Sequence, residues 1–511
     1  MQKNDANISV LIKILPIGTF LAFVILLTVY PAFTAFESSS ESYYEKLTPF
    51  PKQIVSGNGS FFWDHQVKII ISKEAGLAEL RLAMELADVI GGKIGKRCSV
   101  EKGNLLVNKN ASKQIFIGLI GQSDTLNQFD RCKAHEQSGG YVLTVVPEKI
   151  SIKANDPEGM RNGTITLMQL IKRISQETPG NGRLVVPCTT ICDAPSFNFR
   201  GLHLQLWPVV DIAYIKEVID MAAKAKFNSV IFEVNKGYQY RTHPEISDKN
   251  AYSRDQMAEL VQYCKDKGML PIPAINSFGH QELLLRDAHP ELVLVPKADV
   301  KPKDRQWFGK TLDTSKPQVY EILFSLYDEL IEIFHPPFFL IGCDEVEGLR
   351  WQNEPHGDVI FAEHVNQIHG FFASRGIRIM IWNDMLLEIK ERYESSVNKR
   401  PMTNIYKAID LIPKSIIILD WYHSKMPGYE FNSVDFFSKR GFPVIRSSFT
   451  SPDDIKFRCS EAAGAGENVL GMLATLWYNL PERKHQLIQN TIRVSGEHFW
   501  NCPRNDFIPT Q

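Results

Sequence analysis

From Phe199 to Leu476 strand-like runs and helical periodicity alternate, and that alternation constrains the fold more than any other feature of the chain. Runs rich in β-branched and aromatic residues fall at Phe199 to Leu206, Asn228 to Val234, Leu270 to Ile275, Phe338 to Cys343, Ile377 to Ile381, Ser415 to Asp420, Phe442 to Ile445 and Val469 to Leu476. Helical spacing lies between most of them, for example from Ile212 to Lys226, Arg254 to Lys267, Pro317 to Phe334 and Val359 to Ser374. Parallel strands require crossovers, and a helix is the usual one. Eight such units predict a (β/α)8 TIM barrel over residues 191–511, with long connections after its third and fifth strands.

The residues before the barrel divide into four stretches. Residues 53–190 read as a small α/β domain, with strands at Phe61 to Ser72 and Gln114 to Gly121, a helix at Leu77 to Ile90 and a hairpin around Pro147-Glu-Lys. Asp156 is placed to cap a further helix from Pro157 to about Arg173. Nothing catalytic gathers there, so this domain reads as a support. Residues 37–52 are polar and Ser-rich, as in a stem. Ile14 to Phe36 carries no charge and is long enough, at about 1.5 Å per residue, to cross a hydrocarbon core of about 30 Å. Lys3 and Lys13 precede that run and Glu37, Glu41 and Glu45 follow it, which predicts a single-pass type II signal-anchor with residues 1–13 as a cytosolic tail and the rest lumenal or extracellular. A cleaved signal peptide competes, but the run is long for one and Phe33 interrupts the small-x-small pattern before Ala35.

Charge excludes one class of partner. With 57 Lys plus Arg against 58 Asp plus Glu the net charge is −1, so no global field favours nucleic acid. The chain has eight cysteines, yet none forms a C-x-x-C pair and no Cys/His cluster has finger spacing, so neither a structural zinc nor any other metal or cofactor is expected. Spacing cannot fix a disulfide pairing, and Cys343, inside a strand-like run, reads as a buried free thiol. Asn58-Gly-Ser, Asn110-Ala-Ser and Asn162-Gly-Thr are glycosylation acceptors if the chain enters a eukaryotic secretory pathway. The oligomeric state is open.

In barrels of this kind the chemistry sits where strands end. The fourth run reads Phe-Phe-Leu-Ile-Gly-Cys and then Asp344-Glu345. Neighbouring residues of a regular strand face opposite ways, so two adjacent carboxylates serve one pocket only where the backbone turns, and Gly342 permits such a turn. The third run ends Asn276-Ser-Phe-Gly-His280, the fifth Trp382-Asn-Asp384, the sixth Asp420-Trp-Tyr422-His and the eighth Trp477-Tyr-Asn479. Each tryptophan alone reads as core. Three of them at strand ends, beside carboxylates, offer what a sugar's apolar face and hydroxyls require.

These residues stand in an order that resembles the family 20 glycoside hydrolases, the β-N-acetylhexosaminidases, from about Gln53 to the C-terminus. Arg200-Gly-Leu-His-Leu opens the first strand, Phe278-Gly-His280 follows the third, Gly342-Cys-Asp-Glu the fourth, Trp382-Asn-Asp-Met the fifth, and Ala474-Thr-Leu-Trp477 the eighth. The Ile341-Gly-Cys-Asp-Glu-Val and Trp382-Asn-Asp-Met-Leu forms are similar to the hexosaminidase D branch, which usually lacks a membrane anchor. The resemblance implies removal of terminal, non-reducing β-linked GlcNAc or GalNAc from a glycan with retention of configuration. The substrate's own acetamido oxygen would act as nucleophile through an oxazolinium intermediate. Glu345 would be the general acid, Asp344 would orient the acetamido group, and His280 would bond near that dyad. Arg200 would bind hydroxyls of the terminal sugar, Trp382 and Trp477 would wall it, and Tyr422, Asp384 and Asn479 would complete the binding set. The pattern departs at Leu340, where the family usually has His, and at Asn235 and Lys236, where relatives tend to be acidic.

Two other readings compete. A membrane-anchored glycan-binding protein with a decayed hexosaminidase site needs no acid beside an orienting carboxylate, and a retaining glycosidase of another family needs carboxylates about 5–5.5 Å apart rather than adjacent in sequence.

Overall fold

The computed structural model describes residues 44–45, 47–63, 67–95, 97–103, 113–119, 132–177, 185–296, 298, 301–351, 355–388, 404–421, 432–477 and 484–502. The first unit is a seven-stranded sheet built from β1 (Gln53–Phe62), β2 (Lys68–Ser72), β3 (Ser99–Gly103), β4 (Gln114–Leu119), β5 (Tyr141–Val146), β6 (Lys149–Ala154) and β7 (Val185–Asp193), in the order β1-β7-β5-β6-β4-β2-β3. Helices α1 (Leu77–Ile94) and α2 (Pro157–Glu177) supply Leu86, Ile90, Leu167 and Leu170 to its core. Asp156 caps α2 as expected, its Oδ1 accepting the Gly159 N–H at 2.7 Å, and Pro157 opens the helix where a missing N–H costs nothing.

Several sequence expectations change here. Phe61 to Ser72 is two strands rather than one, because β1 ends at Phe62 and β2 begins at Lys68. The Gly57-Asn-Gly stretch lies within β1, at an irregularity in its antiparallel pairing with β7. β7 runs to Asp193 and carries the small domain past the boundary expected at 190. The predicted stem is partly core, since Tyr44 and Leu47 are buried in this domain and Gln169 bonds both backbone groups of Thr48. Asn162 cannot accept a glycan: it is fully buried in α2 and its Nδ2 donates to the Gly139 carbonyl. Asn58 is exposed, and Asn110 lies outside the described residues.

The second unit is the predicted barrel. Strands β8 (Phe199–Gln205), β9 (Ser229–Glu233), β10 (Leu270–Ala274), β11 (Phe338–Leu340), β12 (Arg378–Trp382), β13 (Ile417–Asp420), β14 (Val444–Ser448) and β15 (Val469–Leu476) pair in parallel in chain order, and β15 closes on β8. Around them lie α3 (Ile212–Lys224), α4 (Arg254–Asp266), α5 (Pro317–Phe334), α6 (Gly357–Ala373), α7 (Ser433–Lys439), α8 (Pro452–Gly464) and α9 (His485–Asn501). Alternation along each strand separates two cores. Ile231, Ile272, Leu340, Met380, Ile417 and Leu473 fill the interior, while the other faces pack under the helices. Among the described residues no helix is long and apolar enough to cross a membrane, and the run from 14 to 36 expected to do so lies outside them.

Candidate active site

β11 stops at Leu340, and the backbone then leaves the extended region sharply. Gly342 has φ +71°, Cys343 +68° and Glu345 +44°. A left-handed conformation costs a non-glycine residue about 1–2 kcal/mol, so two within four residues mark a segment held in place by its surroundings. The turn is what brings adjacent carboxylates to one mouth. A Cβ on Gly342 would stand 2.5 Å from Asn276 Oδ1, and one on Gly279 would stand 2.2 Å from the Asp344 carbonyl oxygen, so the segments after β10 and β11 approach as closely as glycine allows.

Asp344 and Glu345 face the same histidine. His280 Nε2 lies 3.2 Å from Asp344 Oδ2 and 3.7 Å from Glu345 Oε2. The Asp344 carboxylate is buried, with Oδ1 lacking a hydrogen-bond partner among the described residues, whereas the Glu345 side chain is 37% exposed. Burial opposes charge on His280, but the charge and hydrogen bond of Asp344, joined by Glu282 and Glu345, hold its imidazolium well above the ordinary histidine range. Asp344 is itself pushed up, chiefly by burial and further by Asp384 and Glu233, against the pull of His280. Glu282 stays charged: its carboxyl is lowered to about 2 against burial by His280, its own backbone N–H and Lys310.

Asp384, expected in the binding set, stands beside the carboxylate pair. It is 2% exposed in the turn after β12, and its Oδ2 accepts the Glu345 backbone N–H at 3.1 Å, which helps fix the residue with positive φ. Trp382, the last residue of β12, is buried at 5.3 Å from Trp477, and His203 stands 4.6 Å from Trp477 and 6.0 Å from Trp382 between ring centroids. Tyr422 and Asn479 lie outside the described residues. Cys343 is a buried free thiol, pushed up to about 12 mainly by burial. Cys132 and Cys192 form a disulfide across the small domain.

Arg200 departs from expectation. It stands at the start of β8, and mouth residues stand at strand ends, about 15 Å further along at about 3.3 Å per residue. It is 1% exposed, donates to the Phe197 and Lys226 carbonyls, pairs with Glu158 of α2 and lies 5.2 Å from the Trp500 ring. Its fork therefore binds the small domain to the foot of the barrel.

One group of mouth residues carried no assigned role in the sequence. Glu233 ends β9 fully buried, and receives bonds from His203 at 2.9 Å, Gln205 at 3.2 Å, Asn235 at 2.9 Å and Asn276 at 3.3 Å. Burial would raise its carboxyl, but His203 and Gln205 lower it below the usual range. Asn235 uses both ends of its amide, since its Oδ1 also accepts the Asn276 N–H at 2.9 Å. Lys236 reaches the Glu282 carbonyl and Asp287. The available signal was an acid closing an otherwise apolar strand. A separate cavity of about 1050 Å³ lies between α1, α2 and α4 at the domain boundary and contains none of these groups.

A closed parallel barrel whose strand ends gather adjacent carboxylates, a charged histidine and paired tryptophans is the layout of a glycoside hydrolase. The family model of the glycosyl hydrolase family 20 catalytic domain matches residues 197–487, that of family 20 domain 2 matches residues 44–194, and the chain belongs to this family. It is 28% identical over 263 residues to a beta-hexosaminidase of Akkermansia muciniphila, covering 46% of this chain and 52% of that relative. It is 25% identical over 261 residues to the human beta-hexosaminidase subunit beta, covering 48% and 44%. The chain thus spans about half the length of the relatives it matches. Among solved structures, the Flavobacterium johnsoniae chitobiase matches with a TM-score of 0.67 at 22% identity over 90% of this chain and 70% of that one. The Streptomyces plicatus N-acetyl-beta-hexosaminidase matches at 0.64 and 16% identity, over 89% and 90%. At these identities the structural likeness carries the fold.

Proposed function

We propose that the chain is a retaining exo-β-N-acetylhexosaminidase that removes terminal β-linked GlcNAc or GalNAc by substrate-assisted catalysis. The observation that carries this reading is the adjacent pair Asp344 and Glu345, turned to one histidine by a left-handed backbone. Glu345, the more exposed carboxyl, protonates the leaving glycosidic oxygen and later takes a proton from water. Asp344, buried against His280, orients the acetamido group and stabilises positive charge as the oxazolinium ring closes. Trp382 and Trp477 wall the sugar, and Tyr422, Asn479 and Asp384 complete the binding set; Arg200 has no part in binding. The names of the relatives support the reaction class. The apolar run from Ile14 to Phe36 supports a type II anchor with the barrel outside the cytosol, a placement that protease protection in sealed vesicles tests.

Hydrolysis of a fluorogenic β-N-acetylglucosaminide and its galacto epimer tests the activity. Turnover is expected, with kcat/KM falling about 10²–10⁴-fold in Glu345→Gln and Asp344→Asn, and with inhibition by a thiazoline that mimics the cyclised intermediate. A folded protein that binds the sugar without turning it over would sink this proposal and favour the glycan-binding reading.

A further inference from the structure

Two short stretches, His243-Pro-Glu-Ile246 and His289-Pro-Glu-Leu292, fold alike in the crossovers that leave β9 and β10. Proline keeps each histidine out of the helical region and opens a 3₁₀ turn, so the backbone angles nearly coincide: φ −136°, ψ 66° at His243 and φ −131°, ψ 63° at His289. In both, the imidazole Nδ1 turns to the carboxylate two residues on, at 3.1 Å to Glu245 and 3.2 Å to Glu291. The two copies also face one another. His289 Nε2 lies 3.1 Å from the same Glu245 Oε1 that His243 approaches, and the rings meet nearly edge to face at 6.3 Å.

This arrangement sets a valence problem. A neutral imidazole carries one N–H, so if His289 donates Nδ1–H to Glu291, its Nε2 lone pair points at a carboxylate oxygen. A cation held between them would be bound by both lone pairs. One ligand atom each from His243, Glu245 and His289 lies within 4.8 Å of the others, and the two contacts of 3.1 Å approach the edge of about 3.3 Å expected for a tetrahedron with bonds of about 2.0 Å. Two imidazole nitrogens and one carboxylate oxygen suit zinc-class ions rather than magnesium or calcium, which prefer oxygen. The side chains are 25%, 45% and 21% exposed, which leaves a fourth position open to water.

We infer that His243, Glu245 and His289 form a site for zinc or another first-row divalent ion, with Glu291 orienting His289 from outside the ligand set. The ion fastens the crossover after β9 to the one after β10 that carries His280. The ligands sit in two different crossovers, which is why rules built on closely spaced Cys and His pairs pass over them.

The test uses the whole protein, stripped with a chelator and titrated by calorimetry with Zn²⁺, with Mg²⁺ in parallel, and with Co²⁺ followed by visible absorption. One Zn²⁺ per chain, a raised Tm and the strong bands of four-coordinate Co²⁺ are expected, with no response to Mg²⁺. Glu291→Gln should weaken Zn²⁺ by about tenfold or more, and the His243→Gln/His289→Gln double variant should lose the site. The proposal is overturned if the wild-type protein shows no such Co²⁺ bands, or binds Zn²⁺ no better than the folded double variant; the cluster would then be only a hydrogen-bonded link between the two crossovers.

Discussion

The His280 imidazolium makes a testable pH signature. Its folded pKa lies above the unfolded value of about 6.5, so its contribution is fully present below that pH and is lost as pH rises through the folded value. The stability gap between wild type and His280→Gln in urea should therefore be full at about pH 6 and narrow as pH rises through the folded value; a gap that widens with pH would contradict the assignment. Asn235 offers a sharper substitution. Its amide donates to Glu233 at 2.9 Å, which an acid cannot do, so Asn235→Asp puts two carboxylates at hydrogen-bond distance in a buried site. We expect a loss of about 1–3 kcal/mol at neutral pH. The new acid's pKa rises above about 3.9 in the fold, so the penalty is full at neutral pH and disappears as pH falls below that value. Chemical denaturation at pH 7 and pH 4 would read it, and an unchanged midpoint at pH 7 would refute it. The departures from the family pattern at Asn235 and Lys236 are thus integrated into local bonding. Asp344, Glu345 and His280 were legible because strand order and a short motif place them. Glu233 carries no role in the sequence alone, because its partner His203 lies on another strand and Asn276 just past the end of a third.

At the level of elements, the mouth depends on how closely two strand ends approach. Gly279→Ala places a methyl against the Asp344 carbonyl, where the obstacle is backbone and cannot swing aside. A cost of about 1–3 kcal/mol is expected from overpacking, together with a fall in kcat/KM of about 10²-fold if the dyad shifts by about 1 Å. Thermal melts and turnover should fall together; an unaffected variant would mean the loops are looser than their geometry. The strands of the barrel were readable because each is a short apolar run between turn signals, and β15 was placed to the residue. The left-handed angles after β11 could not be read, because only Gly342 among those residues announces them. β1 and β7 were missed for a different reason. Their pairing joins Gln53 to Cys192, so the interaction that makes Gly57-Asn-Gly part of a strand lies far along the chain.

Across the whole molecule, one buried charge network joins the two units, and it explains where Arg200 belongs. Asp193 at the end of β7 accepts from Tyr141 at 2.9 Å, Trp500 at 2.8 Å and the Lys52 backbone at 3.2 Å, and pairs with Lys226 at 3.2 Å. Lys226, just past α3, also lies 4.2 Å from the Trp500 ring. Both charges are fully buried, so the pair is not simply additive to stability: a lone charge in that site costs far more than the pair. Asp193→Leu leaves an ammonium with only a hydroxyl and two rings, and should cost about 3–5 kcal/mol. Lys226→Met leaves a carboxylate that keeps three donors, and should cost less. The double variant should be more stable than Asp193→Leu alone. The Lys226 pKa is already lowered by burial even with Asp193 present. In Asp193→Leu it falls further, and a depressed lysine penalises the fold below its unfolded value of about 10.4. The deficit of Asp193→Leu relative to the double variant should therefore shrink as pH rises toward 10. Additive costs, or a deficit that does not respond to pH, would show that the two units are held by apolar contact around Trp500 and not by matched charges.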